Sequence, residues 1–512
     1  MHHAGPQDNP APLGSVPGAR KPWVLVCAIL GSSLAFIEGT IVNLALPSLQ
    51  SSFHVSSTQL QWVVNAYLLT LGSCMLIGGS LGDRFGLRRV FAIGTTVFGL
   101  GALACALATS FPLLVLARLV QGAGGALLVP GSLALIGMHF DEHERGRAIG
   151  TWAGASALTT ASGPVIGGVL VDHWGWPAVF FLVTPCALFT VALTMWRVPR
   201  DTPRAHTELD LLGALLLALC LASVIFALIT QGASTRSGYA LIAIGCAAGF
   251  IWRQRTFAAP VVPPHLFASR TFTGANLMTL ALYFGLGGVM YFLPFNLIQV
   301  RGYSAAAAGA IFLPMTLLLG FGSKFAGAAI DKLNPRRVLA IGSSIAALGM
   351  FALALPGAQA TSFVGFLPGV VLMGVGMTLC VTPLTTLVMN AAGAHETGTA
   401  SGINNTAACL ASLLAIAMLT ALAVPVFRGA LERDLVRREL PTPTIEALSR
   451  NASQLAELQP APGTPTHSAQ NIHEAVAAAY VHTFRVLVTV CAGLALLSSV
   501  IAARTLPAKI ET

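Results

Sequence analysis

Fourteen apolar segments follow one another along the chain, and they constrain its fold more than any other feature. Most have about 20 residues, the length at which a helix crosses the ~30 Å hydrocarbon core of a bilayer. Only 9% of all residues are charged, far fewer than the roughly 25% of soluble domains. The sequence therefore predicts an all-α polytopic membrane protein. The segments lie at residues 22–47, 60–80, 90–109, 112–137, 147–170, 177–197, 210–230, 238–252, 272–299, 305–328, 337–356, 362–389, 399–424 and 480–504.

A charged loop with the sequence GGSLGDRFGLRRV, residues 78–90, separates the second apolar segment from the third. A weaker copy, GAAIDKLNPRR at residues 327–337, lies between two later segments, so Asp83 and Asp331 are about half the chain apart. One charged loop repeated in two halves of a membrane protein resembles the major facilitator superfamily of secondary transporters. The residues that carry this resemblance are Gly79, Leu81, Asp83, Arg84, Gly86, Arg88, Arg89 and Asp331.

Further motifs narrow the resemblance to the fourteen-span EmrB/QacA-like drug:proton antiporters. They are FIEGTIVNLALPSLQ at 36–50, LQWVVNAYLL at 60–69, LARLVQGAGGALLVP at 116–130, ASGPVIGGVL at 161–170 and ETGTASGINNTAA at 396–408. The resemblance implies a major facilitator fold, with two six-helix bundles joined by two extra transmembrane helices. The predicted parts are a disordered cytoplasmic N-terminus (1–20), the first bundle (21–205), the extra helices (206–262) and the second bundle (263–512) with a long extracytoplasmic loop (425–478).

The distribution of Lys and Arg between the two sides predicts the orientation. With the N-terminus inside, most basic residues of the short loops lie on the inner side, and the outer short loops hold only Arg236 and Arg301. Short inner loops of membrane proteins are enriched in such residues. An even number of spans then places both termini in the cytoplasm. We expect a multi-pass protein of the cell (inner/cytoplasmic) membrane, and we attribute the net charge of +9 to orientation rather than to nucleic-acid binding.

Glu38 is the only acidic residue that lies well inside an apolar segment, and Arg118 is the clearest basic one. Charged groups in a bilayer usually mark ion or substrate pathways. Burial also disfavours the charged form of a carboxyl group, so such a group can hold and release a proton. We therefore predict that Glu38 couples transport to protons; the alternative is a structural, hydrogen-bonding glutamate. The resembling family usually has Asp at this position.

Arg118 and Glu38 lie at depths that differ by only ~5 Å, so the two side chains could approach each other. The resemblance implies a role for this arginine in proton movement, so Arg118 joins the predicted proton-coupling site. The alternative is a static buried ion pair or an arginine that satisfies helix carbonyls.

Two further motifs are assigned to gating by the resemblance. Asp83 would lie near a helix dipole of the opposite bundle, and the neighbouring arginines would bind carboxylates or anionic lipid headgroups; alternatively, these charges only fix the topology. The antiporter motif consists of Gly163, Pro164, Gly167 and Gly168. Its small residues let helices approach closely, and the resemblance associates it with exporters. Thr159 replaces a glycine of the full pattern, and a generic glycine-rich membrane helix is the alternative.

No phosphate-binding loop, nucleophile elbow or metal-ligand cluster occurs in the sequence, and the nine cysteines are scattered singly. We therefore expect neither an enzyme nor a nucleotide, metal or cofactor requirement, with the proton gradient as the energy source. Substrate contacts should lie near the midplane of the membrane. The candidates are Asn43, Tyr67, Asn276, Tyr283, Asn296 and Gln299.

Together these features predict a proton-coupled exporter of amphipathic, lipophilic small molecules that works by alternating access. Its partners would be those small molecules, protons and membrane lipids, and not nucleic acid. One alternative is a porter of the same fold with a narrow natural cargo, such as a self-made antibiotic, a siderophore or a lipid. A second is a membrane scaffold or sensor that does not transport.

Overall fold

The computed structural model describes residues 21–201, 209–230, 232–332, 334–357, 363–392 and 396–507, so the predicted disordered terminus 1–20 lies outside it. These residues form α-helices and short 3₁₀ or π turns, without a strand among them. The helices are α1 (Lys21–Phe53), α2 (Ser57–Leu60), α3 (Trp62–Phe85), α4 (Leu87–Ala106), α5 (Phe111–His139), α6 (Glu142–Trp174), α7 (Pro177–Arg197), α8 (Leu211–Ile229), α9 (Ala233–Thr256), α10 (Arg270–Phe295), α11 (Ala305–Ile311), α12 (Leu313–Lys332), α13 (Pro335–Ala352), α14 (Leu367–Ala391), α15 (Thr397–Arg437), α16 (Thr442–Arg450) and α17 (Thr466–Thr505).

Within the described residues, 12 segments are long and apolar enough to cross a membrane. They coincide with twelve of the fourteen predicted spans. The remaining two predictions, 238–252 and 337–356, coincide with α9 and α13, which are helical but less apolar because arginines lie at their ends. All fourteen predicted segments thus coincide with helices, and the number of these helices that cross the membrane stays a prediction.

The helices pack as two groups. In the first, α3 and α4 both pack against α5, α4 also contacts α7, and α1 contacts α6. In the second, α13 packs against α14 and α17, and α10 packs against α15 and α17. We call these the N-terminal half and the C-terminal half. They meet where α3 packs on α15, and where α6 packs on α11 and α12.

Glycines allow the closest helix crossings within each half. In the N-terminal half, a Cβ atom on Gly124 of α5 would clash with the backbone of Phe98 on α4. In the C-terminal half, a Cβ atom on Gly349 of α13 would clash with the backbone of Met373 on α14. Helices in a membrane gain little from the hydrophobic effect between them, so close contact of their backbones contributes much of the packing.

The segment 425–478 was predicted as a long hydrophilic loop, and most of it is helical. α15 continues to Arg437, α16 and a 3₁₀ turn at Ala452–Glu457 follow, and α17 begins at Thr466. The hydropathy of the segment marks only where the chain leaves the bilayer, whereas a helix can continue into water. Beyond that point, Arg438 binds Asp434 at 3.0 Å and Glu474 at 2.8 Å, which ties the end of α15 to α17. The hydrogen bond from Arg438 lowers the pKa of Glu474.

Residues 438–465 cover one end of the helix bundle, and we call them the capping segment. Its apolar residues Leu448, Leu455 and Leu458 are buried and join the main hydrophobic core. The end of the bundle below them is called the capped end, and the other is called the opposite end. The capped end holds the last residues of α1 and α6 and the first residues of α11 and α17.

Candidate functional site

A buried ion pair lies at the centre of the N-terminal half. Glu38 of α1 is 0% exposed and Arg118 of α5 is 1% exposed. Arg118 Nη1 lies 2.7 Å from Glu38 Oε1. Sequence reasoning left open whether these two side chains meet, and the fold brings them into direct contact.

The arginine of this pair is fixed by three further contacts. Its Nε atom donates to the backbone oxygen of Val63 at 2.8 Å, and Nη1 also donates to Gln121 Oε1 at 2.6 Å. The ring of Tyr67 lies 4.3 Å from the guanidinium carbon. A buried guanidinium needs such partners because its charge loses hydration on burial. Arg118 is therefore held in one position by α3 and α5.

The glutamate is less completely satisfied than the arginine. Among the described residues, Glu38 Oε2 and the Tyr67 hydroxyl are buried without a hydrogen-bond partner. Leaving a polar atom in this condition costs about 1–3 kcal/mol, so it calls for an explanation. A carboxylate oxygen with free lone pairs can accept a proton. Oε2 is the atom of the pair that is free to bind one.

Open space lies beside the pair. Gly39, next to Glu38, is exposed, and a Cβ atom at this position would meet nothing within 4 Å. Asn43, one turn further along α1, is half-buried, and its amide donates to the Gly39 oxygen at 3.4 Å. The residue that follows Glu38 is therefore exposed, whereas Glu38 itself is fully buried.

The structure does not bring the six candidate substrate residues together. Tyr67 belongs to the surroundings of Arg118, and Asn276 is buried, donating to the Phe272 oxygen at 2.9 Å. The 23 positions from residue 276 to residue 299 correspond to about 35 Å along a helix. Tyr283 is half-buried between them. Asn296 and Gln299 lie at the capped end rather than near the midplane, since Gln299 Nε2 donates to Glu457 Oε2 at 2.9 Å.

The antiporter motif lies where the two halves meet. Gly163 and Gly167 of α6 face α1, because Cβ atoms there would clash with Thr40 and Ile41. Gly168 faces the other way, and its added Cβ atom would clash with the backbone of Ala305 on α11. The motif thus lets α6 pack closely against α1 on one side and against the C-terminal half on the other.

The charged loop connects α3 to α4, with Gly86 at φ +94° between them. The side chains of Asp83 and Asp331 lie outside the described part of the structure, as do the surroundings of Gly79. Arg84 is exposed over the ring of Phe85, and Arg89 is exposed. Arg88 is half-buried and donates to the backbone oxygen of Met195 in α7.

Sequence reasoning missed Asp201, which binds the backbone at the start of α4, directly after this loop. Its carboxylate accepts hydrogen bonds from the backbone N–H groups of Leu87 and Arg88, the latter at 3.3 Å. These are the first free N–H groups of α4, and a carboxylate satisfies them favourably. A Cβ atom on Gly86 would lie 3.3 Å from the same carboxylate. The partners are more than 100 positions apart, and no local sequence pattern relates them.

Polar contacts close the capped end between the halves. Glu457 of the capping segment accepts from Ser51 at the end of α1 at 3.0 Å. It also accepts from Gln299 of the C-terminal half. Gln50 donates to the backbone oxygen of Gln454 at 3.1 Å. The capping segment therefore bonds to both halves at once.

The sequence model of the Major Facilitator Superfamily matches residues 28–416 of this chain. The chain belongs to the major facilitator superfamily. This membership confirms the predicted superfamily and identifies a multi-pass membrane transporter rather than an enzyme. The narrower assignment to the fourteen-span EmrB/QacA-like group stays a prediction.

Curated members of the superfamily align with most of the chain. Multidrug resistance protein Stp of Mycobacterium tuberculosis is 32% identical over 82% of this chain and 79% of its own length. The tetracenomycin C resistance and export protein of Streptomyces glaucescens is 29% identical over 97% of this chain and 94% of its own. The puromycin resistance protein of Streptomyces alboniger is 33% identical over 79% of this chain and 82% of its own length.

Solved structures of superfamily transporters share the fold at low sequence identity. A bacterial homolog of the human lysosomal transporter Spinster, in an inward-facing and occupied conformation, has a TM-score of 0.63 and 18% identity. It covers 96% of this chain and 98% of its own. The D-xylose–proton symporter also has a TM-score of 0.63, with 14% identity over 96% of this chain and 98% of its own. At these identities the likeness concerns the fold alone.

Proposed function

We propose that this protein is a proton-coupled antiporter that exports amphipathic, lipophilic small molecules by alternating access of its two halves. The observation that carries the proposal is the buried Glu38–Arg118 pair, with a free carboxylate oxygen beside an open face of α1. The names of the relatives, which describe drug or antibiotic resistance and export, agree with this function.

The proposed mechanism rests on competition for one negative charge. Without a proton, Glu38 is held by Arg118 and can attract a cationic substrate that enters along the face of Gly39. A proton on Oε2 removes that charge, so it weakens both the ion pair and the binding of a cation. Each ligand thereby favours release of the other, which is the reciprocal coupling that antiport requires. No cofactor or nucleotide takes part, and the proton gradient supplies the energy.

We propose gating roles for the antiporter motif and the charged loop, because both lie where the two halves would move relative to each other. The antiporter motif seals α6 against α11, and the charged loop with Asp83 latches the opposite end. Arg84 and Arg89 are exposed there and can bind anionic lipid headgroups. Asp201 holds the start of α4 in place and so positions this loop.

The proposed orientation places the opposite end and both termini in the cytoplasm and the capped end outside. It requires fourteen crossings, with α9 and α13 among them. α8 and α9 support this count because they pack together as a hairpin. Asp210 at the start of α8 binds Arg253 and Gln254 near the end of α9, at 2.9 Å each. If α8 spans the membrane, these contacts bring the end of α9 back to the same side.

We expect a reporter enzyme fused after Thr512 to be active on the cytoplasmic side. A cysteine in place of Ala461, which is exposed in the capping segment, should react with a membrane-impermeant thiol reagent added outside. The unmodified protein is the control for labelling of its own cysteines. A C-terminus located outside the cell would contradict the fourteen-span arrangement.

We also expect the charge of the cargo to be limited. Among the described residues, Glu38 is the only fully buried carboxylate deep within a span, and Arg118 already shares its negative charge, so the pathway can neutralise at most one positive charge of the cargo. Burying an unpaired second charge costs several kcal/mol. A panel of matched neutral, monocationic and dicationic dyes, assayed in inverted vesicles with and without a proton gradient, should show export of the first two classes. Export of a dication at the rate of its monocationic analogue would disprove this limit.

The same panel of dyes distinguishes an exporter of many compounds from a porter with a narrow cargo. Tetracenomycin C and puromycin relatives are named for single compounds, whereas Stp is named for many drugs. A porter with a narrow cargo is therefore the second candidate. It would move few or none of the dyes yet still respond to the gradient with its own substrate. A protein that moves no compound at any gradient would be a scaffold or sensor.

A further inference from the structure

A second carboxylate crosses between the halves at the capped end. Asp172 lies in the last turn of α6, in the N-terminal half. Its Oδ1 atom accepts from the backbone N–H of Ala305 at 2.9 Å, and Oδ2 accepts from that of Ala306 at 2.8 Å. These are the first two residues of α11, in the C-terminal half. Ser304 caps the next N–H group, that of Ala307.

The contact is favourable for two reasons. The first N–H groups of a helix have no partner within the helix, and its N-terminus carries a partial positive charge. A carboxylate that binds two of them at once satisfies both needs. The close packing of Gly168 on the backbone of Ala305 places α6 near enough for Asp172 to reach these amides directly.

The sequence pattern around Asp172 repeats the one around Asp83. The sequence Asp83-Arg84-Phe85-Gly86 ends α3, and Asp172-His173-Trp174-Gly175 ends α6. In both, the acid is third from the end of the helix, a basic and an aromatic residue follow, and a glycine with positive φ (+94° and +77°) closes the helix.

Both helices also pack on the C-terminal half, and each pairs with a different helix there. α3 packs on α15, and α6 packs on α11. The end of α3 and the start of α15 lie at the opposite end of the bundle, whereas the end of α6 and the start of α11 lie at the capped end. The two motifs thus occupy equivalent places on the two faces of the transporter.

We propose that Asp172 is the latch of the capped end. It stabilises the closed arrangement seen here, and its two hydrogen bonds break when the halves separate at this end. Asp172 is a positioning residue, because it acts on the balance between conformations and touches neither proton nor cargo. The inference rests on the alternating access of the proposed function, and its evidence at the capped end is independent of the Glu38–Arg118 pair.

The substitution Asp172→Asn tests this latch. The amide oxygen can still accept one hydrogen bond but carries no charge, so the open capped end should become about two- to fivefold more populated relative to the closed one. The measurement is the distance between two spin labels, introduced as unnatural amino acids at the exposed positions Thr109 and Gln470. These positions lie on different halves at the capped end, so opening lengthens the distance.

Two further variants make the result specific. Asp172→Glu keeps a carboxylate and should recover part of the closed population. Asp434→Asn removes a charge at the same end, but Asp434 binds Arg438 at the junction of α15 and the capping segment rather than a residue of the N-terminal half, so the distances should not change. An Asp172→Asn protein with the distance distribution of the wild type would overturn the proposal, as would an equal shift in Asp434→Asn.

Export is measured separately on the same preparations, which keeps the two proposals apart. Absence of proton-driven export in the wild-type protein would contradict the proposed function. The label distances would still decide whether Asp172 holds the capped end closed.

Discussion

Replacing Glu38 by glutamine is expected to reduce proton-driven export by orders of magnitude. Glutamine keeps the size and one hydrogen-bond acceptor of the glutamate, but it cannot ionise. The variant would therefore resemble a permanently protonated carrier, which cannot release the proton that drives each cycle. Binding of a neutral substrate should persist, because this substrate does not use the charge, and its pH dependence should disappear.

The experiment is substrate accumulation in proteoliposomes with an imposed pH gradient, using purified protein at equal density. Glu446→Gln is the matched control, since Glu446 is an exposed residue of α16 and its loss should leave export unchanged. Glu38→Asp has the usual residue of the resembling family and should retain part of the activity at a shifted pH optimum. If Glu38→Gln still accumulates substrate in response to the gradient, the coupling proton binds elsewhere.

Replacing Arg118 by methionine is expected to destabilise the folded protein strongly. The substitution leaves the Glu38 carboxylate buried without its ion partner, and breaking a buried pair in this way costs about 3–5 kcal/mol. It also removes the donors of the hydrogen bonds to the backbone oxygen of Val63 and to Gln121 Oε1. Methionine is flexible and similar in length to arginine, so it fills most of the space. The expected loss of stability therefore comes mainly from the unpaired charge and not from an empty cavity.

The double variant Glu38→Gln with Arg118→Met separates the two effects. With no buried charge left, most of the lost stability should return, although transport should not. Thermal unfolding of the wild type, both single variants and the double variant in detergent gives the coupling between the two positions. A single Arg118→Met variant as stable as the wild type would show that the pair contributes nothing to the fold.

The position of the pair suggests how a proton could influence the gates. Glu38 is next to Ile37 and two residues from Thr40, and both side chains pack against Gly163 of α6. The other face of α6 packs on α11, and Asp172 in the last turn of α6 binds the first residues of α11. A change in the ion pair that moves α1 would therefore reach the contact between the halves through a single helix.

The sequence by itself determined the helices, their order and the superfamily. Every apolar segment needs internal hydrogen bonds in a membrane, so length and hydropathy are enough to find the helices. Glu38 and Arg118 were also found this way, because a charged residue stands out within an apolar segment. The charged loop and the antiporter motif could also be located from the sequence. Each consists of residues close together in the chain, and charged residues or repeated glycines are unusual between apolar segments.

Only the tertiary structure decided which residues meet. The contacts of Glu38 with Arg118, of Asp201 with α4 and of Asp172 with α11 join positions 80 to 133 residues apart. Gln299 lies at the capped end because a π turn at Asn296–Val300 continues the chain beyond α10. The predicted loop is helical because α15 and α17 continue beyond the apolar segments. Hydropathy reports the environment of each segment, whereas these contacts depend on the angles and distances at which helices pack.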